Sequence, residues 1–320
     1  MPLGDYNLGM YIVIPGALPD LAAASELARH LPDYAPVFSR WLTLAQALPS
    51  RFDPRTHGCT AYEGWQLQAA GYQPEPGLPL GAGLGPLLAQ AQGSEAVWLG
   101  DLVHLALGAD SAVLLDPGLM DLRPEESAGL FEAIQPLLED GQFGAEILHP
   151  QRWRLRLPAG LVPRAASPLA VAGDRLQHWW TQDAANRPWR RFLNEIQMAW
   201  HEHPVNEARA ARGVPEVNGL WLYGGARPWP IRTPQAQVWP ELDALARAAD
   251  WGGWLQALAT LDRERFKPLA DAQGWPLRAL DLTLLGRDRQ TRLTLKPRSG
   301  LAKWLPAPKH NWSAWWSHPA

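Results

Sequence analysis

Eighteen tryptophans in a chain of 320 residues constrain this fold more than any other feature. A buried indole hides roughly 150–250 Å² of surface, so the chain must build a large core, a covered groove or an interface to hold them. The remaining composition agrees. With 47% hydrophobic and 19% charged residues, it describes a soluble, globular chain and excludes a disordered one. Most tryptophans are expected in the core. Trp312, Trp315 and Trp316, in a proline-rich tail, are expected at an interface or docked back on their own domain.

Charge and cysteine usage exclude several function classes. Lys+Arg 29 against Asp+Glu 32 leaves a net charge of -3, which gives no electrostatic case for nucleic acid. The single cysteine, Cys59, excludes an internal disulfide and a multi-cysteine zinc site. The apolar run at 10–14 is too short for a signal peptide, and no stretch approaches the ~20 apolar residues of a membrane span. The expectation is a cytoplasmic protein with no membrane partner.

Punctuation divides the chain. A β-branched run at 11–14 stops at Pro15-Gly16 and reads as a buried strand. Helical spacing at 21–30 and 35–48 is broken by Pro32 and Pro36, and residues 73–86, rich in Pro and Gly, read as a linker. Hairpin signals surround 108–111 and 286–288, and a helix is expected over 124–138, with Glu125 and Glu126 in its first turn. Strands are expected at 145–148, 153–157 and 217–223, the last stopping at Gly224-Gly225, with a helix from Pro188 to about His201. Residues 242–248 and 253–261 also have helical spacing.

That last long helix carries the most informative pattern. Trp189, Leu193, Ile196 and Trp200 share one face and are expected in the core. Arg190, Asn194, Gln197 and His201 form a second row, suited either to lining an anion cleft or to a structural hydrogen-bonded face. Asn218, Gly224, Gly225 and Arg227 extend the candidate site, because Gly-Gly allows close backbone approach and Arg227 suits a phosphate or carboxylate. A tight turn requiring positive φ is the alternative for the Gly-Gly pair. No metal is expected: His201-Glu202-His203-Pro204 lacks the i, i+4 histidine spacing of a zincin. No cofactor is expected either, since Gly81-Ala82-Gly83-Leu84-Gly85 lacks the G-x-G-x-x-G pattern and a preceding strand. Cys59 near His57, and Ser111 after Asp110, do not form nucleophile motifs.

Several blocks in fixed order carry a resemblance. They are Leu102-Val103-His104-Leu105 with 108–111, the run 150–157 (PQRWRLRL), 193–198 (LNEIQM), His203-Pro204-Val205-Asn206 with Arg209 and Arg212-Gly213, and 217–225. Over roughly 94–228, with a weaker echo at 13–16, the chain resembles the bacterial RpfE-type regulatory proteins, often labelled cofactor-independent phosphoglycerate mutase. Arg154 replaces a tyrosine of that pattern, and Tyr223-Gly224-Gly225-Ala226 stands for W-G-G-G. The resemblance implies distant similarity to archaeal-type mutases of the alkaline-phosphatase clan, whose chemistry uses two metal ions. Here Ile14 leads into Pro15-Gly16 without an acidic ligand, and no histidine lies between His203 and His310.

The resulting expectation is an α/β fold with an alkaline-phosphatase-like mixed sheet flanked by helices. Residues 1–75 and 165–300 would form the core, 94–160 an inserted α+β unit, and 301–320 a Trp-rich tail. The expected function is a non-catalytic regulatory protein binding a small anionic ligand or a protein partner. Two alternatives remain open: a metal-dependent phosphoglycerate mutase or phosphatase, and a metal-independent enzyme with His201 or His104 as general base.

Overall fold

The computed structural model describes residues 9–108, 111–179, 186–298 and 310–317. The chain divides into two compact units, Met1–Asp53 with Pro234–Ala320, and Pro54–Thr233.

The first unit starts with β1 (Met10–Ile14), α1 (Leu21–Tyr34), α2 (Pro36–Leu44) and β2 (Gln46–Arg51). The chain returns to it with β9 (Gln237–Val238), α10 (Asp243–Arg247), α11 (Trp251–Leu261), β10 (Leu280–Leu285), β11 (Arg289–Leu295) and α12 (Ser313–Trp316). The sheet order is β2-β11-β10-β1-β9. β1 runs parallel to β10 and β9, while β10–β11 and β11–β2 are antiparallel, so this is a mixed sheet flanked by helices. Its core gathers Trp41, Trp239, Trp254 and Trp316 around Ile12, Leu282 and Leu293. The indole tips are satisfied: Trp254 Nε1 donates to the Gly16 carbonyl at 2.8 Å, and Trp316 Nε1 to that of Ala24 at 3.2 Å.

Two expectations in this unit are corrected. Pro32 does not break α1: it lies inside the last turn, and the helix runs on to Tyr34 without the one bond that an N–H at this position would make. Residues 46–48, expected as helix, belong to β2, which pairs with the alternating β11 in register Leu48 opposite Arg292. Pro49 is tolerated because β2 is the outer strand. The described part of the tail docks back on its own unit, with Trp315 and Trp316 buried; residues 301–309 and 318–320 lie outside the described set.

The second unit contains α3 (Pro54–His57), α4 (Ala61–Ala69), α5 (Leu84–Ala89), β3 (Val97–Val103), β4 (Leu105–Leu107), β5 (Ala112–Leu114) and α6 (Pro124–Asp140). It continues with β6 (Gly144–His149), β7 (Arg152–Arg156), α7 (Pro168–Val171), α8 (Arg187–Trp200), α9 (Pro204–Ala211) and β8 (Gly219–Ala226). The antiparallel sheet runs β6-β7-β3-β8, with β4–β5 as a separate hairpin. Side chains alternate across β7: Trp153 and Leu155 enter a core with Trp98, Trp189 and Trp200, contributed by β3 and α8. Trp153 Nε1 donates to Ser127 Oγ at 2.9 Å, and Trp200 Nε1 to the Leu130 carbonyl at 2.9 Å, locking α6 to the sheet and to α8.

The expected partition is corrected by this pairing. β8, placed with the N-terminal core by sequence, pairs along its length with β3, so the α+β unit spans 54–233 rather than 94–160. Residues 73–86 are not a free linker: 80–86 are buried, as a 3-10 turn running into α5. A Cβ on Gly85 would lie 1.9 Å from the Val97 carbonyl oxygen, so glycine is what lets α5 reach β3. No described helix is long and apolar enough to cross a membrane.

Candidate functional site

The apolar face of α8 is buried as its spacing requires, with Phe192 joining Trp189, Leu193, Ile196 and Trp200. Its second row separates. Gln197 Nε2 donates to the Asn218 carbonyl at 3.0 Å. The Asn218 side chain imitates a strand neighbour: Oδ1 accepts from Leu105 N–H at 2.7 Å and Nδ2 donates to its carbonyl at 3.0 Å. Both amides therefore tie α8, β8 and β4 together. Asn194 is exposed, and His201 is an exposed C-cap whose backbone N–H donates to the Gln197 carbonyl. His203 caps α9 instead of pairing with His201, as its Nδ1 accepts from Val205 N–H at 3.2 Å.

Gly224 and Gly225 do not end the strand in an open loop. They lie inside β8, at φ +93° and +101°, beside the register shift at Val97/Trp98. A Cβ at Gly225 would strike the Trp98 ring at 2.4 Å, and one at Gly224 the Val97 carbonyl oxygen at 2.8 Å. The positive φ and the close approach explain glycine here without a ligand. Arg227 lies exposed just beyond the strand.

Only Arg190 of the expected residues lines the cleft of this unit. The cleft encloses about 40 Å³, room for one compact chemical group, and its lining includes Arg164, Trp179, Asn186, Trp189, Arg190 and Trp221. Trp189 and Arg190 come from α8 and Trp221 from β8. The rings are fixed from behind: Trp221 Nε1 donates to the Ala166 carbonyl at 2.8 Å, and Trp179 Nε1 to Asp174 Oδ2 at 3.1 Å. Asp174 also accepts from Arg55 Nη2 at 3.0 Å and Arg175 N–H at 2.8 Å, and pairs with His178 Nδ1 at 3.1 Å. Partial burial pushes its carboxyl up, but these donors outweigh that and lower it to about 2. Arg164 donates one bond, from Nη2 to the Gly77 carbonyl at 3.1 Å. Arg164 and Trp179 escaped sequence reading because they lie outside the periodic helices and strands, and Asn186 because it is the N-cap of α8, just before the Pro188 start read from the sequence.

A second polar cluster is buried under the same sheet. Arg152 forks onto Asp101, and Tyr223 Oη donates to Asp101 Oδ1 at 3.0 Å. Glu63, nearby, accepts from Ser167 Oγ at 2.6 Å and Thr60 N–H at 2.8 Å, joining the N-termini of α4 and α7. Burial first, and the Glu63 charge second, push the Cys59 thiol far up, which removes it as a thiolate nucleophile. Arg209, fully buried, donates to Glu126 Oε2 at 2.6 Å, while Arg212 meets Glu126 Oε1 at 2.8 Å. These two arginines clamp α9 onto α6. Among the described residues, no group of three or more His, Cys, Asp or Glu side chains is placed to hold a metal ion.

No protein-family model matches the chain, and no curated protein does. Solved structures do align at low identity. One is the cofactor-independent phosphoglycerate mutase from Thermoplasma acidophilum DSM 1728, at 13% identity and TM-score 0.33, covering 96% of this chain and 94% of that one. Another is the PH0037 protein from Pyrococcus horikoshii, at 13% identity and TM-score 0.42, covering 90% and 87%.

Proposed function

We propose that this protein is a non-catalytic regulatory protein that holds a small anionic ligand, or an acidic group of a protein partner, in the cleft of the 54–233 unit. The observation supporting this reading is the chemistry of the cleft. Arg164, Arg190 and Asn186 supply donors and the fixed indoles supply apolar walls. Its described lining contains no carboxylate, imidazole, thiol or hydroxyl to act as base or nucleophile. In this reading Arg190 meets the anion, and Asn186 orients it. The order of sequence blocks between 94 and 228 supports an RpfE-type regulatory role in the cytoplasm, on a scaffold of alkaline-phosphatase-like descent that no longer performs the mutase reaction.

The test is a titration of the purified protein with 3-phosphoglycerate, which carries both a phosphate and a carboxylate, followed by tryptophan fluorescence. The expected result is a saturable change, weakened about tenfold or more in Arg190→Ala. Isomerisation and phosphomonoester hydrolysis are assayed in parallel with and without Mn²⁺ and Zn²⁺, and no turnover is expected. Metal-dependent turnover overturns the non-catalytic reading. No saturable response to 3-phosphoglycerate, phosphate or acetate overturns the anion reading.

A further inference from the structure

The cleft of the 54–233 unit is graded from an apolar floor to a cationic rim. Leu193, Leu220, Leu222, Trp189 and Trp221 line it, and none of them is more than 7% exposed. Arg164 is exposed and Arg190 half-buried, so the two guanidinium groups belong to the rim. No carboxylate lies in the described lining. Asp174, which holds Trp179 from behind, is paired with Arg55 at 3.0 Å. The gradient suits a ligand with two unlike ends, an anionic group outward and an apolar group inward.

The walls and the volume narrow that ligand. The Trp221 N–H is committed to the Ala166 carbonyl and the Trp179 N–H to Asp174, so a ligand hydroxyl pressed against either indole would lose water without gaining a partner. A phosphate dianion costs more to take out of water than a carboxylate monoanion, and the leucines beneath the rim return nothing for it. A group the size of a water molecule needs about 10–15 Å³ of space, so about 40 Å³ takes about three heavy atoms. That is a short aliphatic tail, and it is too little for a six-membered ring.

We propose that the cleft binds a short-chain aliphatic monocarboxylate. Its carboxylate meets Arg190 and Arg164 at the rim, and a tail of about three carbons enters the floor beside Leu193 and Trp221. The inference rests on the anion reading above and narrows it from any small anion to this class.

The experiment is calorimetric titration of the full chain with formate, acetate, propionate, butyrate and hexanoate at constant ionic strength, with inorganic phosphate and 3-phosphoglycerate alongside. The expected affinity rises about threefold to fourfold with each methylene as far as butyrate, and hexanoate gains nothing more. Phosphate and 3-phosphoglycerate bind more weakly than butyrate. Leu193→Ala, which deepens the floor, should move the best chain length beyond butyrate. Equal affinity along the series, a steady rise through hexanoate, or phosphate binding tighter than butyrate overturns the short-chain class and leaves the anion reading standing. No response to any of these anions overturns both. If Leu193→Ala does not fold, the series on the unmodified protein decides.

Discussion

Arg152 grips Asp101 at two points, with Nε 2.8 Å from Oδ1 and Nη2 2.9 Å from Oδ2. Asp101 is buried in an inner strand of its sheet, so this fork is the direct compensation for a charge taken out of water. Removing the cation leaves the carboxylate stranded. Arg152→Met is expected to cost about 3–5 kcal/mol in urea unfolding. The double variant with Asp101→Asn should cost less than Arg152→Met alone, because the stranded charge is gone.

Glu63 should make stability fall as pH rises. Burial first, with Asp101 adding to it, raises its carboxyl above the ordinary 4.5, against donors from Ser167 and Thr60. The folded chain then binds the Glu63 proton more tightly than the unfolded chain. That contribution is complete below the ordinary value and is lost as pH climbs through the raised one. Glu63→Gln keeps an acceptor for Thr60 N–H and Ser167 while removing the titration. Its Tm relative to the parent should therefore become more favourable as pH rises above the ordinary 4.5 toward neutral. A constant difference over that range would contradict the assignment.

Two glycines separate steric need from backbone need. Gly85→Ala places a Cβ 1.9 Å from the Val97 carbonyl oxygen, whereas Gly77→Ala, at φ +87°, meets nothing within 4 Å. Gly77→Ala should cost about 1–2 kcal/mol from its left-handed backbone alone. Gly85→Ala should cost more, since α5 and β3 must move apart. Chemical unfolding of the two variants checks the order.

Cys59 should be inert in the folded protein. It is fully buried, and its thiol is pushed far above the ordinary range. Iodoacetamide at neutral pH is expected to modify none of the native chain and one residue of the chain unfolded in guanidinium. Native-state modification would mean that the region around Gly58 and Gly81 opens.

Elements governed by neighbours in sequence were readable in the residues. The buried stripe of α8, the turn between β10 and β11, and the helix beginning at Pro124 all appear where periodicity and punctuation put them. Of the candidate site, Arg190 was readable because it lies on that periodic helix. Arg164 and Trp179 were not, because nothing local distinguishes them from other loop residues, and Asn186, the N-cap of α8, reads locally as a cap and not as a site residue. Gln197 and Asn218 looked like ligand contacts because an amide's sequence position does not reveal which backbone group it will meet.

Composition and short-range pattern thus determined that this chain builds a Trp-rich mixed α/β core and that one face of α8 is buried in it. Tertiary structure alone decided that β8 joins β3, that residues 80–86 pack as core, and that Arg289 ends up enclosed. The physical reason is separation along the chain. Local patterns report dihedral preference and the side of an element that avoids water. Pairing and buried charge depend on segments far apart in sequence, such as Asp101 and Tyr223 or Pro19 and Arg289, and only the folded chain brings those together.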